Sequence, residues 1–234
     1  MALLTINSHS LSTARKSSGA WRRWFWSLCL ALRVVGIRPK NVVWTFDDFY
    51  RGEAESLKLV RDHGFKNLVV LYCPELLGRD DARAELRNPS MCCTVGDANE
   101  LKELLDTFSD IQIGLHSLTH SDFQKESAQT LAADIKDSLA FHRGLFGAAT
   151  PLFAFPYGRA AAECVQTAHE HFETVYLSDN RIAYTTDSES GLVSRIHLEL
   201  GGNVAKFFIK ILLSRLNLFP KRGTASNARG DNRA

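Results

Sequence analysis

The 234-residue sequence has no run approaching the ~20 consecutive apolar residues needed to cross a bilayer, which excludes a polytopic membrane protein. It has few cysteines: Cys29, Cys73, Cys92, Cys93 and Cys164 are an odd number with no CxxC pair, which excludes a disulfide framework and a zinc finger. Reduced thiols in a cytoplasmic protein account for them most simply. Internal repeats are absent, so this is not a solenoid. Acidic residues are missing from residues 1–40, which hold seven Lys/Arg, and only Asp231 offsets the seven Lys/Arg of residues 203–234. Residues 41–202 instead carry 25 acidic against 14 basic side chains. Phosphate recognition runs mainly through Lys and Arg, so the acidic centre argues against nucleic acid as a partner. The basic ends suit either an anionic membrane surface or two solvated tails.

What is present is the balance of a soluble globular domain, 45% hydrophobic and 23% charged. The length allows one large domain with a proper core. Trp24–Leu32 follows Arg22 and Arg23 as the apolar part of a signal peptide would, although Arg33 ends it abruptly and Cys29-Leu30-Ala31 is a poor cleavage site. Read as a helix, Trp21, Trp24, Phe25, Leu28, Leu32 and Val35 share one face. Such a face fits a helix in a membrane interface or one packed against the domain.

Beyond residue 40, strands and helices alternate. Strands are expected at 41–46, 67–72, 111–115, 151–155, 174–177 and 191–196, and helices at 53–63, 100–108, 125–146 and 160–171. Residues 78–93 read as a loop. This pattern implies an α/β fold with a parallel sheet, and the number of units fits a distorted (β/α) barrel of about seven strands. The expected organisation is a basic N-terminal extension (1–40), a barrel domain (41–202), an amphipathic helix (203–220) with Val204, Phe207, Phe208, Ile211, Leu212 and Leu216 on one stripe, and a disordered basic tail (221–234).

Polar residues gather at the strand ends. Asp47 and Asp48 follow the first of these strands, His116 and His120 the third, Pro156-Tyr157 the fourth, and His197 the last. In a parallel barrel those ends open on one face, where such folds hold their active sites. Two imidazoles four apart, joined by a carboxylate from another strand, make a two-His, one-carboxylate metal site with open positions. The competing reading is capping or core histidines, with the paired acids as a helix N-cap.

Taken together, Thr45-Phe46-Asp47-Asp48, His116-Ser-Leu-Thr-His120, Phe155-Pro156-Tyr157-Gly158 and Arg195-Ile196-His197-Leu198 resemble, in order, the motifs of the polysaccharide deacetylase family, also called NodB-homology or carbohydrate esterase family 4. The resemblance spans about residues 41–200. It implies a NodB-like barrel and a metal-dependent hydrolase that removes the N-acetyl group from a sugar in a polysaccharide, oligosaccharide or lipid-linked saccharide. It also implies that Asp48, His116 and His120 bind a divalent metal, most often Zn2+, with Co2+, Ni2+ or Mn2+ as substitutes. Asp47 would take a proton from a metal-activated water, Tyr157 would offer its backbone N–H to the oxyanion, and His197 would protonate the departing amine. A site at the inner face of a membrane, met through the basic termini, is the matching location.

Three departures from the family pattern stand out. Phe49 replaces the usual Gly after the aspartate pair, where it would narrow the mouth of the site. Ala154 stands where many relatives have an Arg that orients the base, leaving Arg159 or Arg195 as substitutes. The Asp-and-Trp segment is degenerate: Asp179 is the expected partner of His197, and with no Trp after Trp44, Leu198 and Phe155 are the expected slot for the acetyl methyl. Two other readings keep the same residues: a deformylase or other C–N amide hydrolase, and an inactive glycan-binding protein on this scaffold. His63, His142, His169 and His171 read as packing or surface residues.

Overall fold

The computed structural model describes residues 4–8, 20–79, 94–179, 191–198 and 202–216. In chain order they form β1 (Leu4–Ser8), α1 (Ala20–Val34), β2 (Val42–Phe46), α2 (Glu53–Asp62), β3 (Asn67–Tyr72), α3 (Ala98–Thr107), β4 (Gln112–Leu115), α4 (Ala128–Phe146), β5 (Leu152–Ala154), α5 (Ala162–His169), β6 (Thr174–Leu177), β7 (Leu192–Ser194), β8 (Ile196–His197) and α6 (Val204–Arg215). One sheet holds all eight strands in the order β7-β6-β5-β4-β3-β2-β1-β8, and every pairing between them is parallel.

The two ends of that order are one stretch of chain. Leu192–Ser194 pairs with β6, Arg195 intervenes, and Ile196–His197 pairs with β1. The chain thus leaves one edge of the sheet and joins the other, and a sheet of seven strand positions closes almost completely into a barrel. This is the expected distorted (β/α) barrel.

The seventh position is β1, and it corrects the expected boundary at residue 41. Leu4–Ser8 is buried along its whole length and lies between β2 and β8, in register Leu4 with Val42 through Ser8 with Phe46. A five-residue strand has too few residues for a periodicity to stand out. The helix expected near residues 21–35 also belongs to the domain. Trp21, Phe25, Leu28 and Leu32 are buried in the main core, where Phe25 packs against Trp44 and stacks on His63. Of the readings open for that apolar face, packing against the domain is the one observed. Trp44 Nε1–H donates to Ser8 Oγ at 2.7 Å, tying β2 to β1 on the side of the sheet that faces the helices.

Local signals explain most helix ends. Asp97 caps α3 by accepting from Asn99 and Glu100 N–H, while Glu100 reaches back to Asp97 N–H. Ser127 caps α4, which stops at Gly147 in the left-handed conformation. Asn203 caps α6, whose last residue is Arg215, and residues 217–220 of the expected 203–220 helix lie outside the described residues. The described cysteines, Cys29, Cys73 and Cys164, are free thiols. Cys92, Cys93, His9, most of the expected 78–93 loop and the tail 221–234 lie outside the described residues.

Candidate active site

Asp47 and Asp48 leave β2, the His116–His120 loop leaves β4, Tyr157 leaves β5, and His197 ends β8. Because the strands are parallel, all stand on one rim. Among the described residues, five non-glycine positions have positive φ: Asp48 (77°), Phe49 (46°), Ser117 (66°), His120 (63°) and Tyr157 (59°). All five lie in the turns of this rim. Such backbone costs about 1–3 kcal/mol per residue and survives only where the surroundings enforce it.

One pole of the site is a cluster of ligand atoms. Asp48, His116 and His120 each offer one donor atom, all within 4.8 Å of one another and all on buried residues. Asp48 Oδ1 lies 3.6 Å from His116 Nε2 and 3.3 Å from His120 Nε2, and Oδ2 accepts from the Tyr50 hydroxyl at 3.1 Å. His116 Nδ1 sits 2.9 Å from the Ala154 carbonyl, so Nδ1 carries the proton and the Nε2 lone pair faces the cluster. A carboxylate and two neutral imidazoles suit a divalent transition metal, and the residues fit one.

The loop that carries the two histidines is held from inside and from behind. Ser117 Oγ accepts from the N–H of His120 at 2.8 Å and of Ser121 at 3.3 Å. Asp134, reaching up from α4, accepts the Leu118 N–H on both oxygens at 2.9 and 3.0 Å. Burial pushes the Asp134 carboxyl up to about 7, against the opposite pull of the Leu118 N–H and the Ser138 hydroxyl. The buried Cys73 thiol donates to the His116 carbonyl at 2.9 Å, and burial raises its pKa well above the usual range.

The second pole is a buried ion pair. Asp47 Oδ1 accepts from Arg195 Nη1 at 2.7 Å, and the same nitrogen reaches Thr45 Oγ1 at 2.8 Å. Asp47 Oδ2 receives the Asn7 side-chain amide at 3.4 Å. Arg195 has no exposed surface and its guanidinium lies over the Tyr176 ring, 5.5 Å from the centroid. It occupies the break between β7 and β8, the point where the barrel closes. Of the two candidate substitutes for the Arg absent at Ala154, Arg195 is the one that reaches Asp47. Arg159 is committed elsewhere, to a two-pronged pair with Asp122 at 2.7 and 3.3 Å that holds the Asp122 carboxyl below its usual value.

Other expectations meet mixed outcomes. Tyr157 is half-buried on the rim with its ring edge-on to His120 at 4.8 Å. Its turn depends on Gly158, at φ 63°, where a Cβ would sit 2.1 Å from Ser178 Cβ. His197 lies beside Asn7 in the β1–β8 register, and its carbonyl accepts from Lys210 Nζ at 3.1 Å. Phe155 does not face the site: it has no exposed surface and packs edge-on to Phe153 and Phe123. An aromatic between two core phenylalanines is drawn inward by burial, so the expected acetyl slot loses this member. Phe49 does not narrow the mouth. Its ring turns into the core against Gly96, where any side-chain carbon would collide with it. Sequence reasoning missed Asn7, Tyr50, Ser117 and Asp134; of these only Ser117, inside the HSLTH motif, carried a local signal.

The polysaccharide deacetylase family model matches residues 36–174, more than half of the chain. The chain belongs to the polysaccharide deacetylase family. Members are hydrolases that act on amide bonds of N-acetylated glycans and depend on a metal, and the Asp48–His116–His120 cluster is where this member would hold one. Solved structures share the fold at low identity. The deacetylase PplD of Streptococcus pyogenes, solved with acetate, superposes with a TM-score of 0.63 at 14% identity, covering 90% of this chain and 98% of that one. IcaB of Ammonifex degensii gives 0.62 at 18% identity, covering 84% and 91%. A de-N-acetylase of Aggregatibacter actinomycetemcomitans gives 0.58 at 13%, covering 88% and 98%. No curated protein matches the chain. The family match begins at residue 36, after β1 and α1, although β1 is part of the barrel and α1 packs on it.

Proposed function

We propose that the chain removes the acetyl group from an N-acetylated sugar of a polysaccharide, oligosaccharide or lipid-linked saccharide, using both poles of the rim. The observation that carries this reading is their juxtaposition: consecutive residues at the end of β2 supply one of three converging ligand atoms and a second carboxylate to a buried arginine. A divalent metal held by Asp48, His116 and His120, zinc or a neighbour in the series, would supply a more acidic water and positive charge for the acyl oxygen.

The remaining steps belong to the chain's own side chains. Asp47 takes the proton of the attacking water; Arg195 and Asn7 fix the rotamer of its carboxylate, so the basic oxygen does not have to be reorganised during the reaction. The backbone N–H of Tyr157, presented by a left-handed turn beside His120, donates to the oxyanion. His197 protonates the amine nitrogen as the C–N bond breaks, which an amine needs in order to leave. Asp179, two residues past β6, is the residue we assign to orient His197.

Arg195 supplies the function that the missing Arg would have had, which removes the main reason to expect an inactive binding scaffold. The inward turn of Phe49 removes the steric reason to expect a smaller acyl group. The test is product release from one amino-sugar oligosaccharide carrying either acetyl or formyl groups. Acetate release with little discrimination against acetyl supports the proposal. Formate release alone would make the chain a deformylase, and release of neither across N-acetylated glycans would contradict hydrolysis.

A further inference from the structure

The face of α1 that is not in the core combines cationic and large apolar side chains. Trp26, Leu30 and Val34, spaced by four residues, form an outward stripe, with Trp26 67% and Val34 69% exposed. Exposed Arg22, Arg23 and Arg33 interleave with it. The neighbouring α6, packed against α1, repeats the pattern: Ile209, Leu212 and Leu216 are exposed in a stripe flanked by exposed Lys206 and Arg215. Neither helix contains a single acidic residue.

This surface is fixed in place. Trp21, Trp24 and Phe25 pack edge to ring, and Trp24 Nε1–H donates to the Gly202 carbonyl at 2.8 Å, joining α1 to the turn that leads into α6. Three features point to one kind of occupant. A second copy meeting this face about a two-fold axis would set arginines against arginines with no acid to offset them. A solvated helix face has no reason to expose tryptophan and long aliphatics in rows. Aromatic and aliphatic side chains ringed by cations match the boundary of an anionic bilayer, where the apolar groups enter the acyl region and the cations meet the headgroups.

We propose that the joint outer face of α1 and α6 is a membrane-docking surface for anionic lipid. No helix among the described residues is long and apolar enough to span a membrane, and the contact we propose is one of side chains entering the interface. Chain direction places the N-terminal ends of both helices at the rim that carries the site. Only a short connection separates the end of α1 from the start of β2, so α1 runs back along the barrel from the rim that carries the site, and α6 starts from the same rim after β8.

The test is flotation of the full chain with phosphatidylcholine vesicles, alone or with about one third phosphatidylglycerol. Binding is expected only with the anionic vesicles. It is expected to fall by roughly tenfold or more in Trp26→Ser/Ile209→Ser, because each exposed anchor lost from the acyl region removes a favourable transfer. Brominated lipid should quench part of the tryptophan emission of the wild type but not the share missing in Trp26→Phe. Both substituted positions are exposed, so the variants should melt as the wild type does. Absence of binding, or anionic-vesicle binding that the serine variant leaves unchanged, overturns the proposal. Self-association of the wild type that the same variant abolishes would assign the face to a second copy instead.

Discussion

The two poles of the site are made in different ways. The metal pole is local: Asp48 comes from one turn, and His116 and His120 from a five-residue loop whose backbone is held by Ser117 and Asp134. The Asp47 pole is assembled from a distance. Asp47 meets Arg195, 148 residues away in sequence, and Asn7, 40 residues before it, and the three come together only because the barrel closes there. A local pole can be specified by a motif. A distant pole depends on the register of β1 with β2 and β8, so the integrity of the N-terminal strand is part of its chemistry.

Breaking the carboxylate that we propose as the base, Asp47, should have the largest catalytic effect that leaves metal binding in place. Asp47→Asn is expected to lower acetate release by roughly 10²–10⁴-fold, with metal content unchanged by elemental analysis. It also leaves the Arg195 charge buried beside a neutral amide, so a lower melting temperature should accompany the loss. Arg195→Met attacks the same pole from the other side. It strands the Asp47 carboxylate, which is 3% exposed, and is expected to cost about 3–5 kcal/mol of stability in denaturant titrations. The double variant Asp47→Asn/Arg195→Met should be more stable than the sum of the single losses allows, since neither charge is then left alone.

The metal pole is sharpened by Asp134→Ala. It orphans the Leu118 N–H at a cost of about 1–3 kcal/mol and loosens the loop between the histidines. Metal affinity, read by competition with a chelator, should fall while the Asp47–Arg195 pair is untouched. The smallest effect lies away from both poles. Burial lowers the His142 pKa to about 4, from an ordinary value near 6.5, and its Nδ1 lies 3.0 Å from the Tyr72 hydroxyl. The folded state therefore binds this proton more weakly than the unfolded chain. Its contribution is whole above about pH 6.5 and is lost as pH falls through about 4. His142→Phe should flatten that limb of the melting-temperature profile.

The same contrast explains what could be read from the sequence. The alternation of strands and helices, the rim location and the ligand set were legible, because each rests on residues near one another in sequence. Arg195 could be named only as one of two substitutes for the absent Arg at position 154, since nothing local says which guanidinium reaches Asp47 across the barrel. β1 was invisible for a related reason: five residues near a chain end carry no periodicity, and Leu4 and Ile6 look like part of a tail until the sheet needs them. Phe49 and Phe155 were misjudged because adjacency to a motif says nothing about which way a ring turns, and burial against Gly96, Phe123 and Phe153 decided it.

The most direct test of the two-pole account is metal content after zinc reconstitution, measured side by side for the wild type, Asp47→Asn and His116→Ala/His120→Ala. About one metal per chain is expected in the first two and none in the third. Metal retained by the double histidine variant, or absent from the wild type, would contradict it.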